Sequence, residues 1–88
     1  MKMKYEFAVR DIAGDYVLVP LGEAALHFSG MITTSDVGAF IVRTLTEETS
    51  LEELTGKLME EYNVDAETAA ADLKEFTDQL RKLELLED

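Results

Sequence analysis

The apolar pattern changes period once along the chain, near Thr34, and that change fixes the fold class. Before it, Tyr5, Phe7 and Val9 alternate with Lys4, Glu6, Ala8 and Arg10, the period of two expected of a strand with one wet face. This predicts a first strand over 4–12. Gly14, within Ala13-Gly14-Asp15, reaches positive φ without steric cost and suits a hairpin turn. The β-branched and aromatic run Tyr16-Val17-Leu18-Val19 then predicts a second strand over 15–20. Pro20-Leu21-Gly22 interrupts the ladder. Beyond it Leu26, Phe28, Gly30 and Ile32 alternate with Ala25, His27, Ser29 and Met31, which predicts a third strand over 24–32.

After Thr34 the spacing is helical. Val37, Phe40, Ile41, Thr44 and Leu45 fall on one stripe, predicting a helix over 35–46 capped by Thr34 or Ser35. Ser50-Leu51-Glu52-Glu53 has the form of a capping box, and Leu51, Leu54, Leu58 and Tyr62 continue a helical face over 51–62. Asp65 is placed to cap a third, longer helix over 66–83, with Ala69, Leu73, Phe76, Leu80 and Leu83 on its inner side. A chain of 88 residues with 1 proline has room for one core. The expectation is a single α+β domain over 1–88, winged-helix-like, in which a three-stranded antiparallel meander is followed by a three-helix bundle.

Composition narrows the chemistry. Cysteine is absent, which removes disulfides, thiolate metal sites and cysteine nucleophiles. Nineteen acids against 8 bases give a net charge of −11, repelling nucleic-acid phosphate and anionic lipid. A DNA-reading helix is disfavoured further because the start of the third helix carries Asp65, Glu67 and Asp72 with no base before Lys74. The acidic pairs Glu47-Glu48, Glu52-Glu53 and Glu60-Glu61 read as solvated surface. The N-terminal segment is broken by charges and resembles neither a signal peptide nor a span, so a cytoplasmic location without membrane contact is expected. His27 is the only histidine, and its strand setting gives no triad. Calcium-loop, H-E-x-x-H and phosphate-loop patterns are missing, and an acyl-carrier attachment site is not matched, since Thr49 precedes Ser50-Leu51. The expectation is a chain that is not an enzyme and has no metal or cofactor.

What remains is a sheet edge. In a meander the first and third strands are edges, and an edge strand templates an added strand unless charge, proline or a cover protects it. The first strand carries Lys4, Glu6, Arg10 and Asp11, whereas Ala24 to Ile32 bears no formal charge beyond a possible one on His27. Two readings of that edge stay open: it receives a guest strand, or it is covered by the third helix, a fixed partner chain or a second copy in a homodimer.

The order of residues resembles a known family. Asp15-Tyr16-Val17-Leu18-Val19-Pro20, then Phe28-Ser29-Gly30-Met31-Ile32, then Val37-Gly38-Ala39-Phe40-Ile41 with Leu45, is similar to protein D of pyrroloquinoline quinone biosynthesis, PqqD. The likeness continues through Ser50-Leu51-Glu52-Glu53-Leu54, Leu58, Glu61-Tyr62-Asn63-Val64, Asp72-Leu73, Phe76 and Leu80. Where that family often has Leu-Asn, a tryptophan and a late glycine, this chain has Thr34-Ser35, Val42 and Glu84. The resemblance implies a recognition domain that grips the leader of a ribosomally made precursor peptide and presents it to a tailoring enzyme, commonly a radical S-adenosylmethionine protein. It implies a leader that adds as a strand beside strand three, in a cleft completed by the third helix. By position, Leu26, His27, Phe28, Ser29 and Met31 would form the strand side, and Leu73, Phe76, Thr77 and Leu80 the helix side. The competing role for Leu73, Phe76 and Leu80 is plain core packing. Gly38, inside a helix, points to close backbone approach.

Overall fold

The computed structural model describes all residues from Met1 to Asp88. Ala13 and Gly14 both take positive φ, 54° and 89°, the signature of a two-residue type I′ turn whose twist matches its strands. That turn joins β2 (Phe7–Ile12) to β3 (Asp15–Pro20) in a register running from Ile12 opposite Asp15 to Phe7 opposite Pro20. A short β1 (Lys2–Met3) precedes the hairpin. The third strand of the sheet, β4 (Ile32–Thr34), pairs antiparallel with β3 and gives the order β2-β3-β4.

The long third strand expected over 24–32 is not there. Residues Ala24–His27 form a helical turn, α1, closed by the Phe28 N–H donating to the Ala24 carbonyl at 2.9 Å, and only Ile32–Thr34 is extended and paired. Two forces override the alternation. Ala24, Ala25 and Leu26 are good helix formers with little to gain on a pleated surface. Gly22 and Gly30 sit at φ 51° and 101°, which breaks the chain on both sides of the turn. The first strand is likewise shorter than 4–12, because pairing with β3 begins only at Phe7.

Three capped helices follow. Ser35 accepts from the Gly38 N–H at 3.0 Å to start α2 (Asp36–Thr44). Ser50 and Glu53 exchange both bonds of a capping box, 3.1 and 3.3 Å, at the start of α3 (Leu51–Tyr62). Asp65 accepts from the Thr68 N–H at 2.8 Å to start α4 (Ala66–Lys82). These caps satisfy amide donors that a helix start leaves unpaired, and donation to the Asp65 carboxylate holds its pKa below the usual value. The core gathers Leu18 from β3, Ile41 and Leu45 from α2, Leu54 and Leu58 from α3, and Ala69, Leu73 and Leu80 from α4.

The two ends of the chain close a second, small sheet. β5 (Leu86–Glu87) pairs antiparallel with β1, Met3 opposite Leu86, and Lys4 donates to the Leu85 carbonyl at 2.7 Å. The chain reaches this position by leaving α4 through Glu84, which holds φ at 58° while the Leu85 N–H bonds back to Leu80 at 2.9 Å. That is the left-handed residue of a helix-ending motif, a place glycine prefers. Replacing Glu84 with glycine is expected to raise stability by about 0.5–1 kcal/mol by relieving the left-handed strain; urea denaturation checks it, and a loss of stability contradicts it.

Tyr62, at the end of α3, ties that helix to the start of α2. Its hydroxyl lies 3.0 Å from Asp36 Oδ1 and 3.1 Å from the Asp36 carbonyl, and its ring sits 5.6 Å from that of Phe40. Burial, with the bond to Asp36, pushes the phenol pKa up from 10.0 to about 12. A pKa raised by folding adds stability that is complete below the unfolded value and is lost as pH climbs through the folded one. Stability is therefore expected to fall between pH 10 and about 12. Tyr62→Phe should cost about 0.5–1.5 kcal/mol at neutral pH and flatten that alkaline limb, as followed by denaturation at a series of pH values.

Candidate functional site

The hydrogen-bond phase of the sheet decides what β4 offers. Proline lacks an N–H, and Pro20 stands opposite Phe7, while the next residue, Leu21, donates to the Glu6 carbonyl at 3.0 Å. Antiparallel pairs alternate between bonded and non-bonded positions, so Val17 and Val19 bond toward β2, and Tyr16 and Leu18 bond toward β4. Their partners there are Thr34 and Ile32. Thr33 between them therefore turns its N–H and C=O away from the sheet. No backbone bond outside the regular elements uses residues 31–34, and the tail pairs with β1 instead, so this edge is vacant.

Beside the edge runs a groove between β4, the start of α2 and the flank of α4. Its wider part, about 390 Å³, is walled by Thr34, Ser35, Val37 and Gly38 on one side and by Asp72, Glu75, Phe76 and Gln79 on the other. A small recess of about 50 Å³ adjoins it, lined by Leu18, Ile32, Phe76, Leu80, Leu83 and Leu85 among others. Gly38 sets how closely α4 approaches. A β-carbon there would collide with the Thr34 hydroxyl and come within 2.7 Å of the Phe76 ring, inside the distance such carbons tolerate.

The predicted site residues divide sharply. Leu26, 84% exposed, and His27 lie on α1. The His27 ring stacks 5.2 Å from Tyr5, and Phe28 packs at 5.9 Å from Tyr5 and 6.0 Å from Phe7. Tyr5 and Phe7 belong to the β2 side, so His27 and Phe28 sit across the sheet from β4. Ser29 is an exposed loop residue, and Met31, exposed, comes immediately before β4. On α4, Leu73 is fully buried and Thr77 nearly so, its hydroxyl donating to the Leu73 carbonyl at 2.7 Å. Both are core. Leu80 is core on one side and recess wall on the other, and Phe76 faces the groove directly. Of the nine residues, the structure brings together Phe76 and Leu80 in the recess wall, while Met31 is adjacent to β4 in sequence but lines neither cavity.

Sequence reading missed Thr33, Val37, Asp72, Glu75, Gln79 and Leu83. One signal for the helix residues was present: Asp72, Glu75, Phe76, Gln79 and Leu83 are spaced by three and four, a second stripe next to the buried one. Its polar members made it look like solvated surface.

Edge, groove and helical wall define a small winged-helix-like α+β domain with a lateral groove beside an unpaired sheet edge. The family model of coenzyme PQQ synthesis protein D (PqqD) matches residues 15–86, and the chain belongs to the PqqD family. Among solved structures it is similar to TbiB1 in complex with the TbiA(beta) leader peptide, at 30% sequence identity and a TM-score of 0.71, with 99% of this chain and 95% of that one covered. No curated protein matches it.

Gly38→Ala should drive the Phe76 ring toward the groove. Overpacking costs about 1–3 kcal/mol and the gain in helix propensity returns about 1, so the net loss of stability should stay below about 2 kcal/mol. Ring-proton contacts measured by NMR check the displacement, and an unmoved Phe76 contradicts it.

Proposed function

We propose that this domain recognises the leader segment of a ribosomally made precursor peptide by strand addition at β4 and presents the remainder to a modifying enzyme, such as a radical S-adenosylmethionine protein. The vacant outer edge at Thr33, opening beside a groove that adjoins an apolar recess, carries this reading. Membership of the PqqD family and the likeness to a protein solved with a leader peptide support it.

In this mechanism the guest runs along Met31–Ser35. Its backbone exchanges hydrogen bonds with the Thr33 N–H and C=O, each worth about 0.5–1.5 kcal/mol net. Side chains on alternate positions turn toward Phe76 and the recess, where burying one aliphatic group contributes about 1.5–3 kcal/mol. The domain supplies no catalytic group; it raises the local concentration of the precursor at the enzyme. No three side chains of His, Asp or Glu converge as a metal site would need, and no helix is long and apolar enough to cross a membrane.

Titrating the isotope-labelled protein with the leader of a precursor encoded beside it should shift the amides of residues 31–35 and of the α4 flank from Phe76 to Leu83. Unchanged spectra at millimolar peptide would sink the reading. Shifts at the same amides that depend on protein concentration without peptide would assign the edge to self-pairing. Thr33→Pro removes the outward N–H without touching the β3 ladder, and is expected to weaken leader binding roughly tenfold or more while leaving the circular-dichroism spectrum intact.

A further inference from the structure

The charge of the groove is one-sided. Asp72 and Glu75 are its only ionisable wall residues, and none of the chain's 8 bases lines it. Of the three cations of α4, Lys74 holds Asp78 at 3.0 Å, Arg81 holds Asp88 at 2.8 Å and Asp78 at 3.4 Å, and Lys82, at the last turn, lines neither the groove nor the recess. Asp72 and Glu75 take part in none of these pairs. They stand three residues apart on one helical face, where like charges repel, and neither carboxylate has an ion-pair partner within the molecule. At the other end of the slot the recess of Ile32, Leu80 and Leu83 is apolar.

Resting on strand addition at β4, we infer that the preferred guest carries a lysine or arginine directed at Asp72 and Glu75, on the same face as an aliphatic residue that enters the recess. Spacing follows from geometry. From Leu80 to Asp72 and Glu75 the helix advances roughly 8–12 Å at about 1.5 Å per residue. Same-face positions on a strand recur about every 6.6–6.8 Å. The base therefore lies two or four residues from the aliphatic anchor, always an even number. A guest with an acid at that position meets two unpaired carboxylates in a chain of net charge −11 and is rejected. The groove thus selects its partner by sign as well as by shape.

The test is selection from a displayed library of nine-residue strand-forming peptides with one fixed leucine and all other positions varied, run against the wild-type protein and the D72N/E75Q variant. Wild type should enrich Lys and Arg two or four positions from the leucine, and D72N/E75Q should lose that enrichment while melting like wild type. For the best selected peptide, replacing its base by glutamine should weaken binding roughly fivefold at low salt for wild type and less than about twofold for the variant. Selected peptides that shift the Ile32–Ser35 amides with no basic preference overturn this inference and leave strand addition standing. A basic preference that persists in D72N/E75Q also overturns it, as general attraction to the acidic chain. Failure of every peptide to shift those amides removes strand addition and this inference together.

Discussion

The inner face of α4 governs the rest of the molecule. A chain of 88 residues buries only 17 of them, so the core cannot spare Ala69, Leu73 and Leu80, all of which α4 contributes to it. Their burial fixes the rotation of the helix about its axis. The neighbouring flank, with Asp72, Glu75, Phe76 and Gln79, is thereby aimed at β4 without any binding role being needed to hold it there. Gly38 then fixes the stand-off, since any side chain would push Phe76 and Thr34 apart. Packing thus shapes the slot, and the residues that line it remain free to differ in chemistry.

Local signals were readable where one short-range force dominates. The serine and aspartate caps and the positive-φ turn each depend on a few adjacent residues, and their hydrogen bonds form as the residue types imply. The meander-then-helices plan was readable from the change of period. The third strand was misread over most of its length because the alternation of Leu26, Phe28 and Ile32 was outweighed by the helix-forming run Ala24-Ala25-Leu26 and by Gly22 and Gly30 at positive φ. Pairing of β1 with β5 left no signal, since two residues are too few to show a period. That the last strand of the sheet lacks charge was readable in the sequence, but where that strand lies was not. His27 and Phe28 packed against Tyr5 and Phe7 on the β2 side, Leu26 stayed exposed on α1, and only Phe76 and Leu80 line the slot.

The edge itself combines vacancy with restraint. β4 is three residues long, bounded by Gly30 at φ 101° on one side and by the cap of α2 on the other. Such brevity limits stacking of edge on edge, so an uncharged strand can be left open without long, flat exposure. On the opposite edge, β2 carries Arg10 and Asp11, both exposed, the charged protection that β4 lacks. The asymmetry leaves the sheet one uncharged edge and one guarded by charge.

Pairing of Lys2 with Glu87 and Met3 with Leu86 has a topological consequence. The two strands at the chain's ends lie side by side, with the Met1 ammonium on the Thr49 carbonyl at 2.9 Å and Asp88 on Arg81 at 2.8 Å, so the unit forms a closed loop with a single narrow neck. Such a shape can be spliced into a surface turn of a larger polypeptide, with both junctions in one place and neither host nor guest stretched.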